Sequence, residues 1–209
     1  MLNGLAANRP VFHSEADFQF ALAWEIQKTL PNAQVRLESR LPRGADDEQV
    51  RGAEYIDIEI RSGLARTALE LKYITKKWVG QFADEKFELK NHSALDQRRY
   101  DILKDLTRIE RFVGVDGESR NGAVVVLTND QALSSVPTRA WGESFDAAFR
   151  LHEGVFLSGA LAWGAAASVG TTRGRVRQLE LGGEYSMTWR AYADDPVSLK
   201  ALVIEVDPE

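Results

Sequence analysis

Residues 54–62, EYIDIEIRS, alternate without a break, placing Ile56, Ile58 and Ile60 on one side and Tyr55, Asp57 and Glu59 on the other. A period of two fits a β-strand and no helix. A short turn at Ser62-Gly63 follows, and ARTALELKYI (65–74) resumes the strand character, so residues 54–74 read as a hairpin. This hairpin limits the chain to folds containing an antiparallel pair. It also contains Asp57, Glu70 and Lys72, which turn the question from fold to chemistry.

The flanking segments complete the pattern. SEADFQFALAWEIQKTL (14–30) predicts a helix capped by Ser14 and closed by Pro31. Phe18, Leu22 and Ile26 form its apolar stripe, and Glu15 falls on that stripe. Phe20 and Trp24 lie on the opposite side, so the helix is expected to be covered on two faces. AQVRLESRL (33–41) reads as a first strand, followed by a polar loop, PRGADDEQVRGA (42–53). Residues 75–92 are charged and irregular and are expected to be a connector. Ser93 is the expected cap of a second helix reaching Phe112, with Leu95, Ile102, Leu106, Ile109 and Val113 on one face and Arg99 in its midst. AVVVLTN (123–129) is a continuous apolar run, as in a strand buried on both faces. Further on, RQLELGGEYSMTWRAY predicts a hairpin turning at Gly182-Gly183, and ALVIEV a last strand. The expected class is α/β, with a mixed central sheet flanked by helices in the order helix, three strands, helix, strand, and a C-terminal hairpin and strand added. One domain is expected over 1–209, its core at 12–130 and an extension at 131–209 packed on that core.

Composition narrows the chemistry. The 209 residues hold no cysteine, which excludes disulfides, zinc-thiolate sites and thiol nucleophiles. His13, His92 and His152 show no metal-binding spacing. No apolar run is long enough to span a bilayer and no signal peptide is evident, so a cytoplasmic protein is expected. A net charge of −5 argues against a strongly basic, unselective nucleic-acid binder but leaves room for a local basic patch.

The tripeptide Glu-Leu-Lys occurs twice, at 70–72 and 88–90. The second copy lies in the charged connector and reads as a solvated charge pair. The first lies on the hairpin, where Glu70 and Lys72 share a face and antiparallel pairing brings Asp57 to them. Two carboxylates buried side by side are costly without compensation, and one lysine balances only one of them. A divalent cation with hard oxygen ligands, Mg²⁺ or Mn²⁺, is the natural additional charge. A cluster of stabilising ion pairs is the competing explanation.

With Asp57 on the second strand, Glu70-Leu71-Lys72 on the third and Glu15 on the preceding helix, the chain resembles the PD-(D/E)xK nuclease superfamily, the restriction-endonuclease-like fold. Ile56 stands where the family's name has Pro. The resemblance implies metal-assisted hydrolysis of a phosphodiester, with Asp57, Glu70, the Leu71 carbonyl and Glu15 at the metal and Lys72 orienting water or stabilising charge. Arg99 would hold a phosphate or pair with one of the carboxylates, with Gln97 ranked below it. Substrate contacts are expected from Lys76, Lys77 and Trp78, and from Arg173, Arg175 and Arg177, which line one side of TTRGRVRQ if it is extended. Trp141, Trp163 and Trp189 are further stacking candidates. The expected partner is nucleic acid, DNA before RNA, with a homodimer or a partner protein supplying specificity. The alternative is an inactive member of the same fold serving as a nucleic-acid-binding or assembly module.

Overall fold

Two helices of unequal character sandwich one sheet. The computed structural model describes residues 1–41, 52–115, 119–137 and 144–208; most of the polar loop expected at 42–53, and Trp141, lie outside them. Helix α1 (Leu2–Asn8) precedes α2 (Glu15–Thr29), whose Ser14 cap accepts from the Asp17 amide as its sequence predicts. Strands β1 (Gln34–Arg40), β2 (Tyr55–Ser62) and β3 (Ala65–Ile74) form an antiparallel meander. Helix α3 (Leu95–Val113) then crosses over to β6 (Ser119–Thr128), which runs parallel to β3. Strands β9 (Trp189–Ala193) and β10 (Leu199–Val206) complete a mixed six-stranded sheet in the order β1-β2-β3-β6-β10-β9. No described helix is long and apolar enough to cross a membrane.

Alternation along β6 divides the core. Val124 and Val126 join Ile102, Leu103, Leu106 and Ile109 of α3, while Val125 and Leu127 join Phe18, Leu22 and Ile26 of α2. The continuous apolar run is thus buried on both faces, as its sequence predicts.

Several local expectations change. Residues 75–92 form a hairpin, β4 (Trp78–Phe82) with β5 (Glu85–Leu89), anchored by Phe87 and Leu89 in the α2-side core. Helix α3 starts without a side-chain cap, after a left-handed Ala94 rather than at Ser93. Gly182 and Gly183 make no turn; they lie inside β8 (Leu179–Ser186), which pairs with β7 (Phe156–Leu161). The register steps there from Ser158↔Glu184 to Gly159↔Leu181, so the glycines form a bulge. Their amides donate to Glu110 Oε1 of α3 at 2.9 and 3.0 Å. A Cβ on Gly183 would sit 2.7 Å from the Tyr185 hydroxyl, which binds the same Glu110 oxygen. Phe20 and Trp24, expected under a second cover, are 60% and 61% exposed and stack on each other.

Ile56, Ile58 and Ile60 do not share a face: Ile56 joins the α3-side core and the other two the α2-side core. The change comes at Asp57. Opposite it in β1, Glu38 has φ +51°, and the left-handed residue turns the strand pair over.

Candidate active site

Pairing of β2 with β3 begins at Ser62↔Ala65 and stops at Ile58↔Leu69, although β3 continues to Ile74. Alternate amides of a strand face the same edge, so Leu71 and Tyr73 present N–H groups where β2 has left. Buried amides need acceptors. The Leu71 amide donates to Asp57 Oδ2 at 2.7 Å and the Tyr73 amide to Glu15 Oε2 at 2.8 Å. Two carboxylates from different elements therefore meet at the fork between the strands. Gln19 of α2 fixes the other side of the fork, donating to the Asp57 carbonyl at 2.8 Å and to Glu38 at 3.0 Å.

Glu70 and Lys72 point to the α3 side, where the helix supplies two residues that sequence reasoning missed. Asp105 lies 2.5 Å from Lys72 Nζ, and Arg108 lies 2.6 Å from Glu70 Oε1 and 3.1 Å from Asp105. A signal was present: Asp105 is three residues after Ile102 and four before Ile109, so a carboxylate sits within the apolar stripe. Lys72 also donates to the Leu71 carbonyl at 3.0 Å. Beyond them, Glu54 pairs with Arg111 at 2.5 Å and approaches Arg108.

The electrostatics show an excess of negative charge. Glu15, Asp57, Glu70 and Asp105 face two cations, Lys72 and Arg108. Burial, with Asp105 next to it, pushes the Glu70 carboxyl up to about 9 against the pull of Arg108. Burial raises Glu15 too, with Lys72 and the Tyr73 amide opposing. Asp57 is raised by burial, with the Leu71 amide and Lys72 opposing. Burial alone would lower Lys72, but Asp105 and Glu15 outweigh it and hold the proton more firmly.

Two clefts open on this cluster. One, of about 530 Å³, is lined by Glu15, Lys72, Asp105, Lys90, His92 and Arg98, among others. The second, of about 920 Å³, is lined by Asp57, Tyr55, Arg108, Arg111 and Arg177. Lys104 borders both.

Other expected contacts lie elsewhere. Arg99 is buried against Asp146 at 3.1 Å and the Ala132 carbonyl at 2.8 Å, away from both clefts, so it meets none of the fork carboxylates. It sits six residues, about 9 Å along the axis, before Asp105. Gln97 donates to the Gly170 and Thr171 carbonyls of a short helix, Val169–Thr172. The three arginines form no extended row, because a left-handed turn at Gly174 interrupts them. Arg175 makes a two-bond pair with Asp101, while Arg173 and Arg177 are exposed and Arg177 alone of the three reaches a cleft. Lys76 pairs with Asp130 at 3.0 Å and Lys77 is exposed. Trp78 and Trp163, partly buried, and Trp189, buried, pack against the cores.

Among the described residues no group of three or more acidic or imidazole side chains forms a ready metal site. The donors nonetheless suit a hard divalent cation, because they are all oxygens. The chain matches no protein-family model, and no curated protein or solved structure matches it either.

Proposed function

We propose that the chain is a metal-dependent nuclease of the PD-(D/E)xK kind, hydrolysing phosphodiester bonds in nucleic acid, DNA first. The observation that carries this reading is the fork between β2 and β3. There Asp57, Glu15, Glu70 and Asp105 gather around Lys72 and Arg108, leaving negative charge that a divalent cation would offset. The order of helix, meander, crossover helix and parallel strand supports it as well.

Asp57, Glu70, Glu15 and the Leu71 carbonyl would hold Mg²⁺ or Mn²⁺, which supplies polarisation of a phosphoryl oxygen and a more acidic bound water. The protein's own part is positioning. Capping of the Leu71 and Tyr73 amides fixes Asp57 and Glu15 at the fork, and Asp105 keeps Lys72 protonated and at hand for negative charge developing on the phosphate. Arg108 holds Glu70 on the α3 side.

One observation favours the inactive-module reading: Lys72 and Arg108 already engage Asp105 and Glu70, so the cluster is partly neutralised without any ion. Plasmid, linear duplex and single-stranded DNA incubated with Mg²⁺ or Mn²⁺ separate the two. The nuclease reading expects cutting that Lys72→Ala reduces by about a hundredfold or more, and calorimetric metal binding that Asp57→Asn abolishes. Binding without cutting supports the module, and undiminished cutting by Lys72→Ala refutes the site.

A further inference from the structure

In the cleft that holds Lys72, the acids are engaged and three of the bases are not. Glu15 accepts from the Tyr73 amide, Asp101 binds Arg175 through two bonds, and Asp105 binds Lys72. Lys90, Arg98 and Lys104 make no ion pair among the described residues, and the buried Nε of Arg98 has no hydrogen-bond partner there. The second Glu-Leu-Lys copy is thus no charge pair: Glu88 faces solvent on β5, while Lys90 lines the cleft.

The position of these bases is built into the fold. Thr75, three residues after Lys72 and almost fully buried, accepts the His92 amide at 2.7 Å through its carbonyl. Its hydroxyl donates to the Lys90 carbonyl at 2.7 Å. Its own amide donates to His92 Nδ1 at 2.9 Å. An Nδ1 that accepts leaves the proton of a neutral imidazole on Nε2, so His92 offers the cleft a donor. Burial, Arg98 and Lys90 all lower the affinity of His92 for a second proton. Lys90 and Arg98 crowd His92, and neither has an ion-pair partner among the described residues.

We propose that Lys90, His92 and Arg98 form a binding site for a phosphate group of a nucleic-acid strand, the one adjacent to the phosphate presented to Lys72. Guanidinium, ammonium and imidazole N–H donors suit the oxygens of such a group, and Lys104 continues the row towards the second cleft. What lies next to this phosphate rests on the nuclease reading, but its capture needs no metal and no cutting.

The test is therefore run in chelator. A thymidine tetranucleotide with a 5′-phosphate, the same oligonucleotide without it, and inorganic phosphate are titrated against the full chain. The His92 ring resonances and fluorescence anisotropy are followed. The expected result is a shifted His92 signal, with affinity for the tetranucleotides reduced about tenfold by Arg98→Gln and by Lys90→Gln. Lys28→Gln, at an exposed lysine of α2 outside both clefts, should bind as the parent does. Preference for the phosphorylated oligonucleotide identifies a strand end, and equal binding of both an internal phosphate; either supports the site. Unchanged affinity in both cleft variants, or a His92 signal that no probe moves, overturns it. Phosphate capture in a protein that never cuts would overturn the nuclease reading alone. Cutting with both cleft variants still binding normally would overturn this proposal alone.

Discussion

Glu59 and Glu70 are both buried on the central hairpin, and their neighbours treat them oppositely. Glu59 receives Arg61 at 2.7 Å and Arg66 at 2.9 Å; burial works against it, but these bonds prevail and bring its pKa down to about 2. A carboxylate lowered in the folded state contributes stability above its unfolded value of 4.5, and that contribution is lost as pH falls towards 2. Because Arg61 and Arg66 are partly in water, the amount is about 1–2 kcal/mol, less than the full shift implies. Glu59→Gln should thus be less stable than the parent in urea at pH 7, with the gap narrowing by about half at pH 3 and closing only as pH nears 2. A gap that stays constant across this range would mean the ion pairs contribute nothing. Glu70 differs because Asp105 lies beside it and only Arg108 opposes burial. A fold that tolerates such a group is expected to use it, since strain of this kind collects at functional sites.

At the scale of elements, the site depends on how closely α3 approaches the sheet. Gly122 of β6 sets that distance: a Cβ there would lie 2.6 Å from Ile109 Cγ2 and 2.8 Å from the Ala68 carbonyl oxygen. Gly122→Ala should cost about 2 kcal/mol by overpacking. It should also weaken cutting, because Ile109 is one turn from Asp105 and the helix carries both. A thermal midpoint within a degree of the parent's would show that α3 can shift freely. The same helix marks the limit of what the sequence reveals. Period-two patterning at 65–74 puts Glu70 and Lys72 on one face, and the stripe of α2 turns Glu15 to the sheet, but at 54–62 the pattern breaks at Asp57, opposite the left-handed Glu38. Asp105 was legible as a carboxylate between Ile102 and Ile109, yet a stripe is easily read as apolar throughout. Arg99 misled because a helical pattern gives the angle of a side chain and not its partner, and Asp146 is 47 residues away. Gly182-Gly183 misled in the same way: two glycines permit a bulge as readily as a turn, and only the pairing with β7 decides.

For the whole molecule, the net charge and the cleft that holds Lys72 have opposite signs. The chain carries −5, while Lys90, Arg98 and Lys104, which make no ion pair among the described residues, line one cleft at the β3–α3 junction. The reach of each charge depends on salt. At 0.15 M the Debye length is about 8 Å, so a strand in the cleft senses the local cations and little of the remote acids. At 0.01 M it is about 30 Å, and the acidic surface repels the same strand. Single-stranded oligonucleotide affinity measured in chelator should fall between 0.1 and 0.3 M salt with a log–log slope of about −2, as expected for some three phosphate contacts. Below about 0.03 M the slope should flatten, because longer-range repulsion cancels part of the gain. A basic protein would keep gaining affinity as salt is removed. If this chain does so, with a constant slope down to 0.01 M, the strand lies on a larger basic face than these clefts provide, and the three cleft cations are not what holds it.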